Sequence, residues 1–199
     1  MELVRRVLEG RDRIGRESTE SQNMKTSFRT LSASLLLTTL ISTQAGEPPK
    51  PKLAPASPEF ERLKSLVGTW KGSVDMGQGP VEMVQQFRLL AGGTVLEEKV
   101  FAGTPQEMTT MYYDQNGKLA LTHYCVLGNR PGMVLKAADA KTMTFAFDES
   151  CGINVKKESH MHSLTLRFED ADTIVASCKA YFDGQEMPEH PTVMKRVKP

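Results

Sequence analysis

The chain has 199 residues, with 25 Lys and Arg against 24 Asp and Glu and a formal net charge of +1. That balance, without a basic run or an RNA-type aromatic motif, argues against a nucleic-acid partner. The length suffices for one sizeable core without disulfide or metal staples.

Residues 1–23 are highly charged and read as a non-structural leader, with translation starting at Met24. From Met24 to Ala45 the layout is that of a secretory signal peptide. Lys25 and Arg29 form the basic region, Leu31 to Ile41 a short apolar stretch, and Thr43 and Ala45 the small residues before a cleavage point. The apolar stretch is short and rich in Ser and Thr for a membrane span. The expected location is therefore exported, periplasmic or extracellular, with no stable span after signal removal. Seven of the 25 basic and five of the 24 acidic residues fall in the first 45, which leaves the remaining 154 residues near −1.

Residues 46–57 form a Pro-rich linker. The domain, residues 58–199, opens with a helix signal. Ser57 caps, Pro58 takes the first turn, Glu59 follows, and Phe60, Leu63 and Leu66 make one apolar stripe that Gly68 ends. Period-two alternation then dominates. Strands are expected over GTWKGSVDM, VEMVQQFRLL, TVLEEKVF, EMTTMYYD, KLALTHYCVL and MVLKAAD. They continue from Lys141 to Phe147 and over SHMHSLTLRFED, DTIVASCKAYFDG and TVMKRV. Short turns join them, Asn116–Gly117 being the strongest hairpin signal. About ten short strands without a βαβ rhythm predict an all-β fold. The expected form is an antiparallel up-and-down barrel, lipocalin-like, with a short N-terminal helix.

The chemistry-bearing residues sit on these strands. Leu119 and Leu121 share parity with His123 and Cys125, and counting back from Phe168, Leu166 and Leu164 reaches His162 and His160. All four are therefore expected to face the interior, unless a bulge swaps the faces. Inward histidines can anchor a ligand. Alternatively His123, His160 and His162 ligate zinc, copper or haem iron. Glu97 or Glu98 must also face inward, and Glu98 with Glu107 forms a possible acid pair. The loop Gly128–Asn129–Arg130–Pro131–Gly132 reads as a hairpin turn or as a portal that places Asn129 over a pocket mouth. Trp70, Phe87, Phe145, Phe147, Leu166 and Phe168 would supply apolar contact. Cys125, Cys151 and Cys178 are odd in number, allow one disulfide, and contain no CxxC centre. No Ser-His-Asp order, G-x-S-x-G, HExxH or phosphate loop is present, so the sequence defines no reaction.

Gly68–Thr69–Trp70 after a short helix resembles the G-x-W opening of lipocalin-like barrels. LVGTW at 66–70, FAGTPQEMTTMYY at 101–113, LTHYCVLGNRP at 121–131 and HMHS at 160–163 resemble segments of a family of uncharacterised, secreted bacterial barrels. That resemblance covers about residues 58–197. It implies a calycin-like barrel and brings no activity with it. Haem-binding nitrobindin-like barrels are similar in shape only, and their haem ligand matches no specific residue here. The expected function is binding of a small, apolar molecule anchored by His123 and His162. A metal- or haem-binding barrel, an enzyme of unknown class using Glu98 with a histidine, and a packed structural barrel are the alternatives. Cofactor and oligomeric state are not specified by the sequence.

Overall fold

The computed structural model describes residues 55–75, 79–115 and 117–198. The leader, the signal segment, most of the linker and Asn116 lie outside these residues. Helix α1 spans Pro58–Lys64. It starts as the sequence dictates: the Ser57 hydroxyl accepts from the Phe60 amide at 3.1 Å, and Pro58 occupies the first turn. Ser57 also ties the helix down, since its amide and hydroxyl both donate to the Asp114 carboxylate at 2.7 Å.

The strands follow in the order β1 (Gly68–Asp75), β2 (Pro80–Leu90), β3 (Val95–Val100), β4 (Met108–Gln115) and β5 (Lys118–Tyr124). The second half contains β6 (Gly132–Ala138), β7 (Thr142–Phe147), β8 (His160–Asp170), β9 (Thr173–Phe182), β10 (Gln185–Glu186) and β11 (Thr192–Arg196). Every pairing is antiparallel. Strands β1 to β9 pair consecutively, and β11 bridges β9 back to β1. The result is a closed ten-stranded barrel with β10 as an extra strand on the edge of β9. Closure removes exposed sheet edges, which an open meander would leave. Among the described residues, no helix is long and apolar enough to cross a membrane.

One barrel end is plugged. Phe60, Leu63 and Leu66 from α1 and its following turn join Trp70, Leu96, Leu119, Met143, Leu166 and Met194 in one buried cluster. The Trp70 indole N–H donates to the Leu66 carbonyl at 2.7 Å, so its polar atom is satisfied inside the plug. Arg196 covers the indole with its guanidinium 4.2 Å from the ring centroid. The same guanidinium donates to the carbonyls of Ser65 (2.7 Å), Val67 (2.9 Å) and Ala171 (3.1 Å). Beside Trp70, Gly72 lets β11 approach closely, because a Cβ there would overlap Met194 Sδ and the Val193 carbonyl.

Candidate functional site

The strand registers build a polar row on the inner wall. Phe87 pairs with Glu98, Glu98 with Thr110, and Thr110 with His123, across β2 to β5. Residues in one such row share a face, and Phe87 fixes that face as the interior, being buried in the core. Glu98 and His123 are each only 4% exposed. One row along lie Gln85, Val100 and Met108, also inward. Glu97 and Arg88 have the opposite parity and form an ion pair with each other. The choice that the sequence left between Glu97 and Glu98 is thus made by the alternation of β3 against Leu96.

Side chains satisfy one another along the row. The Tyr112 hydroxyl donates to Glu98 Oε2 at 2.7 Å, and Thr110 also hydrogen-bonds the Glu98 carboxylate. Thr110 Oγ1 lies 2.9 Å from His123 Nδ1. When Glu98 is ionised, the Thr110 hydroxyl proton points to the carboxylate. His123 Nδ1 must then carry the proton it shares with Thr110, which leaves Nε2 as a bare acceptor. Burial pushes the Glu98 carboxyl up to about 7, against the bonds from Tyr112 and Thr110 that favour its charged form. Burial also pushes His123 down to about 4. Tyr112 is raised well above the usual phenol range, by burial and by the Glu98 charge. The inner amide of Gln85 is 4% exposed, and its Oε1 has no hydrogen-bond partner.

Cys125 lies just beyond β5 and keeps the inward side of His123. Its Sγ is 4.0 Å from Met108 Sδ, and burial raises its pKa. Cys178, inward on β9 opposite Leu164, is pushed up to about 12 by burial, with smaller contributions from Cys125, Glu189 and Glu98. All three cysteines are free thiols.

His160 is buried and His162 half-buried, but the two do not continue the face of Leu164 and Leu166 in unbroken alternation. The β8–β9 register shifts between Met161 and Ser163. The extra residue resets the alternation, so that Met161 packs against the core and His160 pairs across from Tyr181. The two histidines instead form a ring cluster with Phe147 and Tyr181. His162 stacks on Phe147 at 5.1 Å and 13°, and His160 on Tyr181 at 5.5 Å and 7°. His160 Nδ1 lies 2.7 Å from the Glu158 carbonyl, which only accepts, so Nδ1 is the donor. In the neutral pair, His160 Nε2 then accepts from His162 Nδ1 at 3.1 Å.

The expected grouping of His123 with His160 and His162 is therefore corrected. Among the described residues, no three His, Cys, Asp or Glu side chains are arranged to hold a metal ion. Glu98 and Glu107 do not form an acid pair either, because Glu107 is exposed and bonds Lys99 at 2.6 Å and the Gly103 amide at 2.8 Å. Trp70 belongs to the plug. A cleft of about 270 Å³ lies against that plug, lined in part by Trp70, Phe168, Asp172 and Arg196. Asn129 braces two loops: its Nδ2 donates to the Ser159 carbonyl at 2.8 Å, while its buried Oδ1 has no partner. The sequence reading passed over Gln85 and Thr110. Both were readable, since Gln85 shares parity with Met83 and Phe87, and Thr110 with Tyr112.

Fold and site together define a closed antiparallel β-barrel with a buried polar row on one inner wall. No protein-family model matches the chain, and comparison with curated proteins finds no match.

Proposed function

We propose that this is an exported, lipocalin-like barrel that binds a small, largely apolar molecule, anchored at His123 and Glu98. The observation that carries the reading is the polar row itself. A carboxyl, a hydroxyl, an imidazole and an amide are buried on an otherwise apolar wall, and Gln85 Oε1 is left unpaired. A buried acceptor without a donor costs about 1–3 kcal/mol, a penalty that a bound molecule with a donor would remove. Barrels of about eight strands can hold one small ligand and widen with strand number, and pockets combine apolar walls with few convergent polar groups. Export rests on the segment from Met24 to Ala45. The resemblance of the four segments quoted above to those of uncharacterised secreted barrels supports the same reading.

The test is native mass spectrometry of the protein purified from its own host, with an absorption spectrum and metal analysis on the same sample. The expected result is a co-purified organic molecule that is lost in a His123→Ala variant. An apo mass, together with failure of an environment-sensitive apolar dye to bind, overturns the reading in favour of a packed barrel. A stoichiometric metal or haem overturns it in favour of a metalloprotein.

A further inference from the structure

The polar row has a charge imbalance that the ligand-binding reading leaves unexplained. Glu98 is the inward carboxyl of β3, and no cation contributes to its titration. The basic side chains closest to it along the chain are turned away. Arg88 is engaged with Glu97, and Lys99 bonds Glu107. The titratable groups around Glu98 are Tyr112 from β4 and, through Thr110, His123 from β5, with Cys178 from β9 close enough to interact through charge; Cys178 in turn feels Cys125 and Glu189. Tyr112, His123 and the two thiols are held in their neutral forms near neutral pH, because burial raises the phenol and the thiols and lowers the imidazole.

The hydrogen-bond count points the same way. Tyr112 and Thr110 already donate to the carboxylate. Gln85 Oε1, buried and inward on the adjacent row, is an acceptor with no donor. What the row lacks is a positive charge that brings several N–H donors.

We infer that the polar row is the head-group site for a primary amine with an apolar body. Its ammonium pairs with the Glu98 carboxylate, and a remaining N–H group is offered to Gln85 Oε1, the diagonal neighbour of Glu98 on β2. The inference rests on the ligand-binding reading and names its ligand class. A buried ion pair is tolerated when the remaining lone pairs are hydrogen-bonded, and Tyr112 and Thr110 supply those bonds. The protons balance simply. An ammonium that meets neutral Glu98 displaces the carboxyl proton to solvent, whereas one that meets ionised Glu98 displaces none. Binding therefore releases up to one proton at a pH below the Glu98 midpoint and progressively less above it.

Calorimetric titration of the full chain with octylamine, octanol and octanoate separates the two levels of the claim. Octylamine should bind roughly tenfold or more tightly than octanol, with octanoate weakest. Repeating the octylamine titration in two buffers of different ionisation enthalpy counts the protons. Close to one should be released at about pH 6 and few at about pH 8. This count needs no substitution. Glu98→Gln should weaken octylamine at least about tenfold and leave octanol within about threefold, with an unchanged far-UV spectrum. The amine inference alone is overturned if octanol or octanoate matches octylamine, or if no proton is released. If none of the three binds, the ligand-binding reading falls with it.

Discussion

The plugged end and the polar row are both buried, yet they satisfy their polar atoms in opposite ways. At the plug, the Trp70 indole and the Arg196 guanidinium end on backbone carbonyls: Trp70 on Leu66, and Arg196 on Ser65, Val67 and Ala171, with Asp172 pairing Arg196 from the rim. Such acceptors are fixed by the fold, so the plug is self-contained. Along the row, Tyr112, Glu98, Thr110 and His123 satisfy one another in series, and the series ends on an imidazole nitrogen. At the other end of the wall, on β2, Gln85 Oε1 is unpaired. The plug carries stability, whereas the row carries unspent hydrogen-bonding capacity.

Substitutions should reveal that contrast, the largest effect falling at the plug. Trp70→Ala removes the largest fully buried side chain and should cost about 3–5 kcal/mol in urea unfolding. A loss below about 1 kcal/mol would mean that the plug is not where stability resides.

The row should show itself through pH. Glu98 rises from 4.5 to about 7 on folding, so the folded state holds its proton more tightly and stability falls as pH rises through that window. His123 drops from 6.5 to about 4, so the folded state holds its proton less tightly and stability rises as pH climbs through that window. Each shift amounts to about 3 kcal/mol, and where the windows overlap they nearly cancel. The wild-type protein should therefore be almost flat in these contributions near pH 5–6. His123→Gln should unmask a fall of about 3 kcal/mol, and Glu98→Gln a rise of similar size. Denaturant melts across the pH range check both; parallel profiles for the two variants would break the assignment.

Smaller effects sharpen the boundary between the regions. Gly72→Ala forces a Cβ into Met194 and the Val193 carbonyl and should cost about 1–3 kcal/mol by thermal unfolding. Ser57→Ala removes both the helix cap and one bond to Asp114, for about 1 kcal/mol in urea melts. Gln85→Leu should lie within about 0.5 kcal/mol of wild type or stabilise it, because it removes an unpaired buried oxygen. A loss above about 2 kcal/mol would show that Gln85 holds the fold together.

Much of the fold was legible because alternation is a local property. The strand succession, the capped helix and the inward side of Leu119, Leu121 and His123 follow from it directly. Alternation also predicted that His160 and His162 continue the inward face of Leu164; His160 is buried, but one inserted residue at the β8 bulge breaks the count without changing composition and gathers the pair with Phe147 and Tyr181. The acid pairing was illegible for a different reason. Glu98 and Glu107 sit close in sequence, but Glu107 lies in the turn before β4, where Lys99 and the Gly103 amide hold it outside. Gln85 and Thr110 were overlooked because neutral polar residues on a strand resemble its solvent side. Their buried status follows from register with Phe87 and Tyr112, which is a property of neighbours.

The ladder between β1 and β11 governs how this chain reaches its native state. Most pairings join strands that follow each other directly, so the meander can zip from local turns. Closure instead unites distant segments: Trp70 meets Arg196, and the Arg196 bond to Ser65 spans 131 residues. Contacts of such separation raise the contact order and slow the final step. Until β11 docks, β1 and β9 both present unpaired edges, which are templates for association between chains. The last few residues thus act as the latch against aggregation, and a truncation before Thr192 should yield soluble protein only when the chain is kept dilute.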